Sequence, residues 1–149
     1  MPKKMRPLFI ATAAICVTHA VVSHRRQRHV DEVACEQMHQ DALASHIADP
    51  SLNSIWGALE GVKAEQAAQH MQCNRWVSWW LLRYRLGVTT KASFVPVADD
   101  FMRSTAARDY WAMARSIRRR EDRSRRTREF VKIMNASYQH AVERVDQKV

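Results

Sequence analysis

Residues 74–85 constrain this chain more than any other stretch, because they hold three of its five tryptophans within twelve positions. At 3.6 residues per turn, Trp76, Trp79, Trp80, Leu82 and Tyr84 cover a wider arc than the single apolar stripe of a surface helix. A helix so apolar around its circumference is normally a central one, packed on more than one side. Arg75, Arg83 and Arg85 mark where it reaches water. The stretch therefore predicts the hub of a helical domain, with Trp76, Trp79 and Trp80 in the core.

A chain of 149 residues is long enough for one domain plus an appended segment. Three glycines and four prolines leave few interruptions. Ala, Arg, Gln, Met and Leu are abundant and β-branched runs are short, which favours helices and argues against a β-sandwich or a Rossmann-type sheet. The expected fold is all-α, an N-terminal apolar helix followed by a small bundle of about five helices. The net charge of +9 is uneven: +6 over residues 1–29, −3 over 30–114 and +6 over 115–149. Basic ends suit an anionic lipid surface or a nucleic acid equally well. Cys16, Cys35 and Cys73 are odd in number and widely spaced, which argues against a disulfide framework and for a reducing compartment.

Behind a basic flank (residues 1–7, with Lys3, Lys4 and Arg6) lies an apolar segment, residues 8–23, with no formal charge and His19 as its only strongly polar member. As a helix it rises about 24 Å, short of the roughly 30 Å of a hydrocarbon core. Snorkelling of Arg6, Arg25, Arg26 and Arg28 or local thinning would cover the difference. Three readings compete. A signal peptide cut after Ala20 is opposed by the basic run 24–29 just downstream. A helix buried in the domain's own core fits poorly with a segment apolar all round and bracketed by bases. A short membrane anchor fits best, making the chain a single-pass membrane protein with the bilayer as partner through 8–23. The flanking charges nearly tie for orientation, and the unpaired cysteines tip the helical domain, residues 24–149, towards the cytoplasm.

Along the body, Val30, Val33, Ala34, Met38, Ala42, Leu43 and Ile47 recur at helical spacing, and nothing breaks the pattern back to the apolar segment. Asp49-Pro50 ends that helix and opens a short one holding Leu52, Ile55, Trp56 and Leu59. The hub helix is expected from about Val62 to Leu86, with Gly87 as its left-handed terminator and a hydroxyl cap from residues 88–90 ahead of the next helix. Pro96 should kink or start the helix of residues 91–103, with Phe94, Val97, Phe101 and Met102 inward. Ser104 is a candidate cap for a helix to about Arg120 whose apolar face is Ala107, Tyr110, Trp111, Ala114 and Ile117. Thr127 is expected to open the last helix, with Phe130, Ile133, Met134, Tyr138 and Val145 on the cleanest amphipathic stripe in the chain.

Several of these landmarks together resemble a family of uncharacterised actinomycete proteins, streptomycete ones above all. The residues that carry the resemblance are Asp49-Pro50-Ser51-Leu52 with Trp56, Arg75-Trp76 through Trp79-Trp80, Leu86-Gly87, Phe101, Arg108-Asp109-Tyr110-Trp111 with Arg115, and Arg128-Glu129-Phe130 through Ile133 to Tyr138. It covers about residues 30–142. What it implies is an N-terminal transmembrane segment and a helical domain of unknown function; it brings no catalytic residue, cofactor or partner. The short, His-containing apolar segment departs from that pattern.

Candidate chemistry is sparse. Cys35-x-x-x-His39 and His70-x-x-Cys73 each project two ligands from one helix face, so two antiparallel helices would assemble a tetrahedral zinc or thiol-sensor site. The competing reading, small apolar filler for the cysteines and surface positions for the histidines, is favoured, and no metal is expected. The arginines at 115, 118, 119, 120, 123, 125, 126 and 128 can grip phosphates of nucleic acid or lipid, with Arg25, Arg26 and Arg28 at the other end. The run lacks interleaved aromatics and any nucleic-acid motif, so a solvated inter-helix connection is favoured. Trp56, Trp76, Trp79, Trp80, Phe101, Tyr110, Trp111, Phe130 and Tyr138 read as core, since aromatics at helical spacing usually are. No phosphate loop, G-x-S-x-G, H-E-x-x-H or spaced carboxylate pair stands out, so no catalytic residue and no cofactor is indicated. The expected role is non-enzymatic: a membrane-anchored helical domain that binds another protein or itself. The alternatives are nucleic-acid or anionic-lipid binding through the arginines, and zinc or thiol sensing.

Overall fold

No glycine or proline interrupts residues 8–48, and one helix takes up the whole run. The computed structural model describes residues 6–49, 51–52, 61–120 and 124–147, with side chains from residue 18 onward. Over these it contains five α-helices and no strand: α1 (Arg6–Ala48), α2 (Ala64–Leu86), α3 (Lys91–Phe101), α4 (Thr105–Arg120) and α5 (Arg125–Asp146). The apolar segment and the helix after it are a single element, so the described residues hold five helices in all, not an apolar helix plus five. The expected short helix around Trp56 lies outside the described residues.

The chain divides into two units, Met1–Cys35 and Glu36–Val149. In the first, every side chain from residue 18 to 31 is exposed, Val21, Val22 and Val30 included. Among the described residues no helix is long and apolar enough to cross a membrane. The expected single-pass span is thus not supported. The charge-free run stops at Ser23, and the helix passes directly into the basic residues 25–28. The stripe predicted on α1 fails too: Val33, Ala34, Met38 and Ala42 are exposed, and Leu43 alone is buried, at 3%.

The second unit contains the core, in which α2 packs on α4 and α5, α3 on α5, and α4 on α5. Its centre is aromatic. Phe94 stacks on Phe130 with ring centroids 4.6 Å apart, and Tyr84 meets both rings edge-on at 5.8 and 5.9 Å. Trp111, Phe94, Phe130, Met102, Met134 and Val77 are the largest fully buried side chains. Each large apolar side chain so buried contributes about 1.5–3 kcal/mol. Trp111 also donates its indole N–H to Asn135 Oδ1 at 3.0 Å, so its burial leaves no polar group unpaired.

Local signals set the helix ends. Gly87, at φ 78° and ψ 12°, closes α2, and the amides of Gly87 and Val88 return to the carbonyls of Tyr84 and Arg83. Thr90 begins α3 with a capping box, its hydroxyl accepting from the Ser93 amide while Ser93 Oγ accepts from the Thr90 amide. α3 runs through Pro96 instead of starting there. Ser124, not Thr127, caps α5, because its hydroxyl accepts from the Thr127 amide at 3.1 Å. Thr127 is buried in the first turn.

Candidate functional site

α2 carries two faces of opposite fate. Ala67, His70, Cys73, Val77 and Tyr84 follow a helical line into the core. Trp76, Trp79 and Arg83 follow another, on which Trp76 is 46% and Trp79 40% exposed. Both lie at the surface and not in the core that their spacing predicts. α3 and α5 cover only part of the aromatic arc, and the remainder faces water. Trp80 lies between the two faces and meets Phe94 at 6.1 Å and Phe101 at 5.2 Å. Trp76 stacks on Trp80 at 5.8 Å and stands edge-on to Trp79 at 6.0 Å, while the Arg83 guanidinium sits 4.7 Å from the Trp79 ring. The result is an ordered aromatic surface with a cation at one end.

Of the other aromatics expected inside, Tyr110, Trp111 and Phe130 are buried, and Phe101 and Tyr138 are half-buried against the core. Trp56 lies outside the described residues. Val97, Ile117 and Val145, expected to face inward, are 38%, 54% and 46% exposed.

The arginine-rich connection is largely structural where it meets the core. Arg118 Nη2 donates to Asn74 Oδ1 at 2.6 Å and to Ser78 Oγ at 2.8 Å, and Tyr110 Oη donates to the same Asn74 oxygen at 2.9 Å. This polar cluster ties α4 to the inner side of α2. A trace of it exists in sequence, since Asn74 and Ser78 are four residues apart and so share one face of α2. Nothing in the sequence pairs them with Arg118. Arg126 Nη1 donates to the Tyr84 carbonyl at 2.9 Å, and the Arg115 guanidinium lies 5.3 Å from the Tyr138 ring. Arg119, Arg120 and Arg125 are exposed, as are Arg25, Arg26 and Arg28 on α1.

Cys35 is exposed, His39 half-exposed, and His70 and Cys73 are buried on α2. Among the described residues no three His, Cys, Asp or Glu side chains come together as metal ligands would. Burial pushes the Cys73 thiol up to about 11, leaving about one part in ten thousand as the reactive thiolate at neutral pH. His70 is 4% exposed, and neither ring nitrogen has a hydrogen-bond partner among the described residues. Burial holds its pKa below the ordinary value, opposed by the nearby Asp109 carboxylate.

No curated protein and no solved structure matches this chain. A family match does exist, and it begins ahead of the apolar segment instead of near residue 30. Residues 7–148 match DUF6082, a family of unknown function, and the chain belongs to that family.

Proposed function

We propose that this chain is a non-enzymatic binding domain whose contact surface is the outer face of α2, centred on Trp76 and Trp79. One observation carries the reading: two tryptophans remain 46% and 40% exposed on a helix whose other side is packed. Tryptophan is the residue type most enriched among interface anchors. Indole surface left in water forgoes burial at about 25 cal/mol per Å², and association recovers it. The occupant is another protein or a second copy of this chain. A photo-crosslinking residue at position 79, installed in the native host, should give a discrete adduct that the same group at the exposed Lys132 does not. Identical adducts at both positions, or none at 79 together with a monomer in sedimentation, would refute the reading.

A second reading concerns residues 8–23: that this part of α1 dips into a bilayer from its basic flanks without spanning it. The sixteen uncharged positions 8–23, with Arg6 ahead of them and Arg25 behind, favour it. The full chain should float with anionic liposomes, and a chain starting at Val30 should not. Equal behaviour of the two would remove the lipid role.

A further inference from the structure

Beside the tryptophan face lies a groove of about 430 Å³, lined by Trp76 and Trp80 from α2 and by Pro96, Val97, Asp100 and Phe101 from α3. Its volume falls within the range of small-ligand sites, about 300–1,000 Å³. Half of the lining is aromatic, one residue is a carboxylate, and none is a base. In a chain of net charge +9 such a lining is selective in sign.

The walls present ring surface in two orientations. Trp76 and Trp80 are near-parallel, at 28°, and Phe101 stands at 84° to Trp80. The groove meets the last turn of α3, which ends at Phe101. That helix end already holds a cation of its own: Arg108 Nη1 donates to the Met102 and Arg103 carbonyls, and the amides of Arg103 and Ser104 take those of Asp100 and Phe101, so the end adds nothing to the groove. What attracts a cation here is the aromatic faces and the Asp100 carboxylate. A primary ammonium loses a strong hydration shell on entering such a place. A methylated ammonium is poorly hydrated and loses little, so the aromatic lining selects it. Among the described residues Asp100 has one ion-pair partner, Arg103, at 3.6 Å with side chains 80% and 76% exposed. A pair so exposed to water is worth about 0–1 kcal/mol and leaves the carboxylate available.

We propose that this groove binds the quaternary ammonium group of choline, free or on a lipid headgroup. The proposal rests on the α2 tryptophan face being a binding surface, because Trp76 belongs to both. Trp79 does not line the groove, and that separates the two ideas.

The test is a calorimetric titration of the full chain, in a detergent without ammonium groups, with choline and with its neutral isostere 3,3-dimethylbutan-1-ol. Choline should bind saturably, at least about ten-fold tighter than the neutral compound. Asp100→Asn and Trp76→Leu should each weaken choline by about three-fold or more, and Arg103→Gln should tighten it. All three positions are exposed, and circular dichroism checks that the variants stay folded. Trp79→Ser should leave choline binding intact while abolishing the association proposed above. Phosphatidylcholine vesicles then separate a lipid headgroup from free choline, and a trimethyl-lysine peptide that binds more tightly than either would overturn the choline assignment. No saturable choline binding, equal binding of the neutral isostere, or indifference to both Asp100→Asn and Arg103→Gln would overturn the proposal. Any of these results with the position-79 adduct still present would overturn it alone.

Discussion

Substituting Gly87 by alanine adds one methyl group, and two separate costs follow. Gly87 holds φ at 78°, a left-handed conformation that a side chain makes unfavourable by about 1–2 kcal/mol. The new Cβ would also lie 2.5 Å from Arg126 Nη1 and 3.2 Å from its Cζ. A guanidinium at the end of a flexible side chain can swing away, so the steric overlap itself is cheap. What is lost is the 2.9 Å hydrogen bond from Arg126 to the Tyr84 carbonyl, which joins the start of α5 to the end of α2. A charged donor in a buried setting contributes about 1.5–3 kcal/mol, and partial exposure brings this to about 1. Gly87→Ala should therefore destabilise by about 2–3 kcal/mol, lowering the melting temperature by about 5–10 °C. Urea unfolding followed by circular dichroism reads the loss. A double-mutant cycle isolates the second cost: in an Arg126→Ala background, Gly87→Ala should fall to the backbone cost alone, giving a coupling of about 1 kcal/mol. Additivity within about 0.5 kcal/mol would show that Arg126 does not brace this turn, and a neutral Gly87→Ala would refute the account entirely.

Further outcomes test the core and the polar contacts. Trp111→Ala should cost about 3–5 kcal/mol, whereas Trp79→Ser should cost about 1 or less, mainly its contact with Arg83; urea midpoints compare them. Because burial lowers the folded-state pKa of His70, the unfolded chain protonates first on acidification. Stability should hold above pH 6.5 and decline below it, by at most about 1.4 kcal/mol per pH unit, until the folded-state His70 itself titrates. His70→Leu should flatten that decline when urea midpoints at pH 7.5 and 5.5 are compared. Arg118→Leu, which strips a donor from Asn74 and Ser78, should cost about 1–3 kcal/mol, whereas Arg119→Gln, Arg120→Gln and Arg125→Gln together should leave stability unchanged. A nucleic-acid role through these arginines would appear as salt-sensitive DNA or RNA binding that the triple variant reduces. In the native protein a thiol reagent should label the exposed Cys35, and Cys73 only after denaturant is added.

Much of this fold can be read from the chain, and the reasons are local. Scarce glycine and proline make it helical; Gly87 ends α2 and Thr90, three residues on, begins α3; Ala107, Tyr110 and Trp111 or Phe130, Ile133 and Met134 recur at the spacing that puts one side of α4 and of α5 inward. Each of these depends on neighbours within about one turn. The polar cluster does not, since Asn74 and Arg118 meet only because α2 and α4 pack, and sequence separation hides such a pair. Nor does the groove, whose Asp100 and Trp76 come from different helices.

The aromatic arc at residues 74–85 shows the division most plainly. Its composition alone determines that α2 has more apolar surface than one neighbouring helix can cover. Which part is covered was decided by tertiary packing: Val77 and Tyr84 are buried, Tyr84 against Phe94 of α3 and Phe130 of α5, while Trp76 and Trp79 stay 46% and 40% exposed. The stripe on α1 behaves likewise, with Leu43 alone buried. Periodicity records which side chains share a face, but burial requires a second element with a matching surface, and only the assembled bundle supplies one.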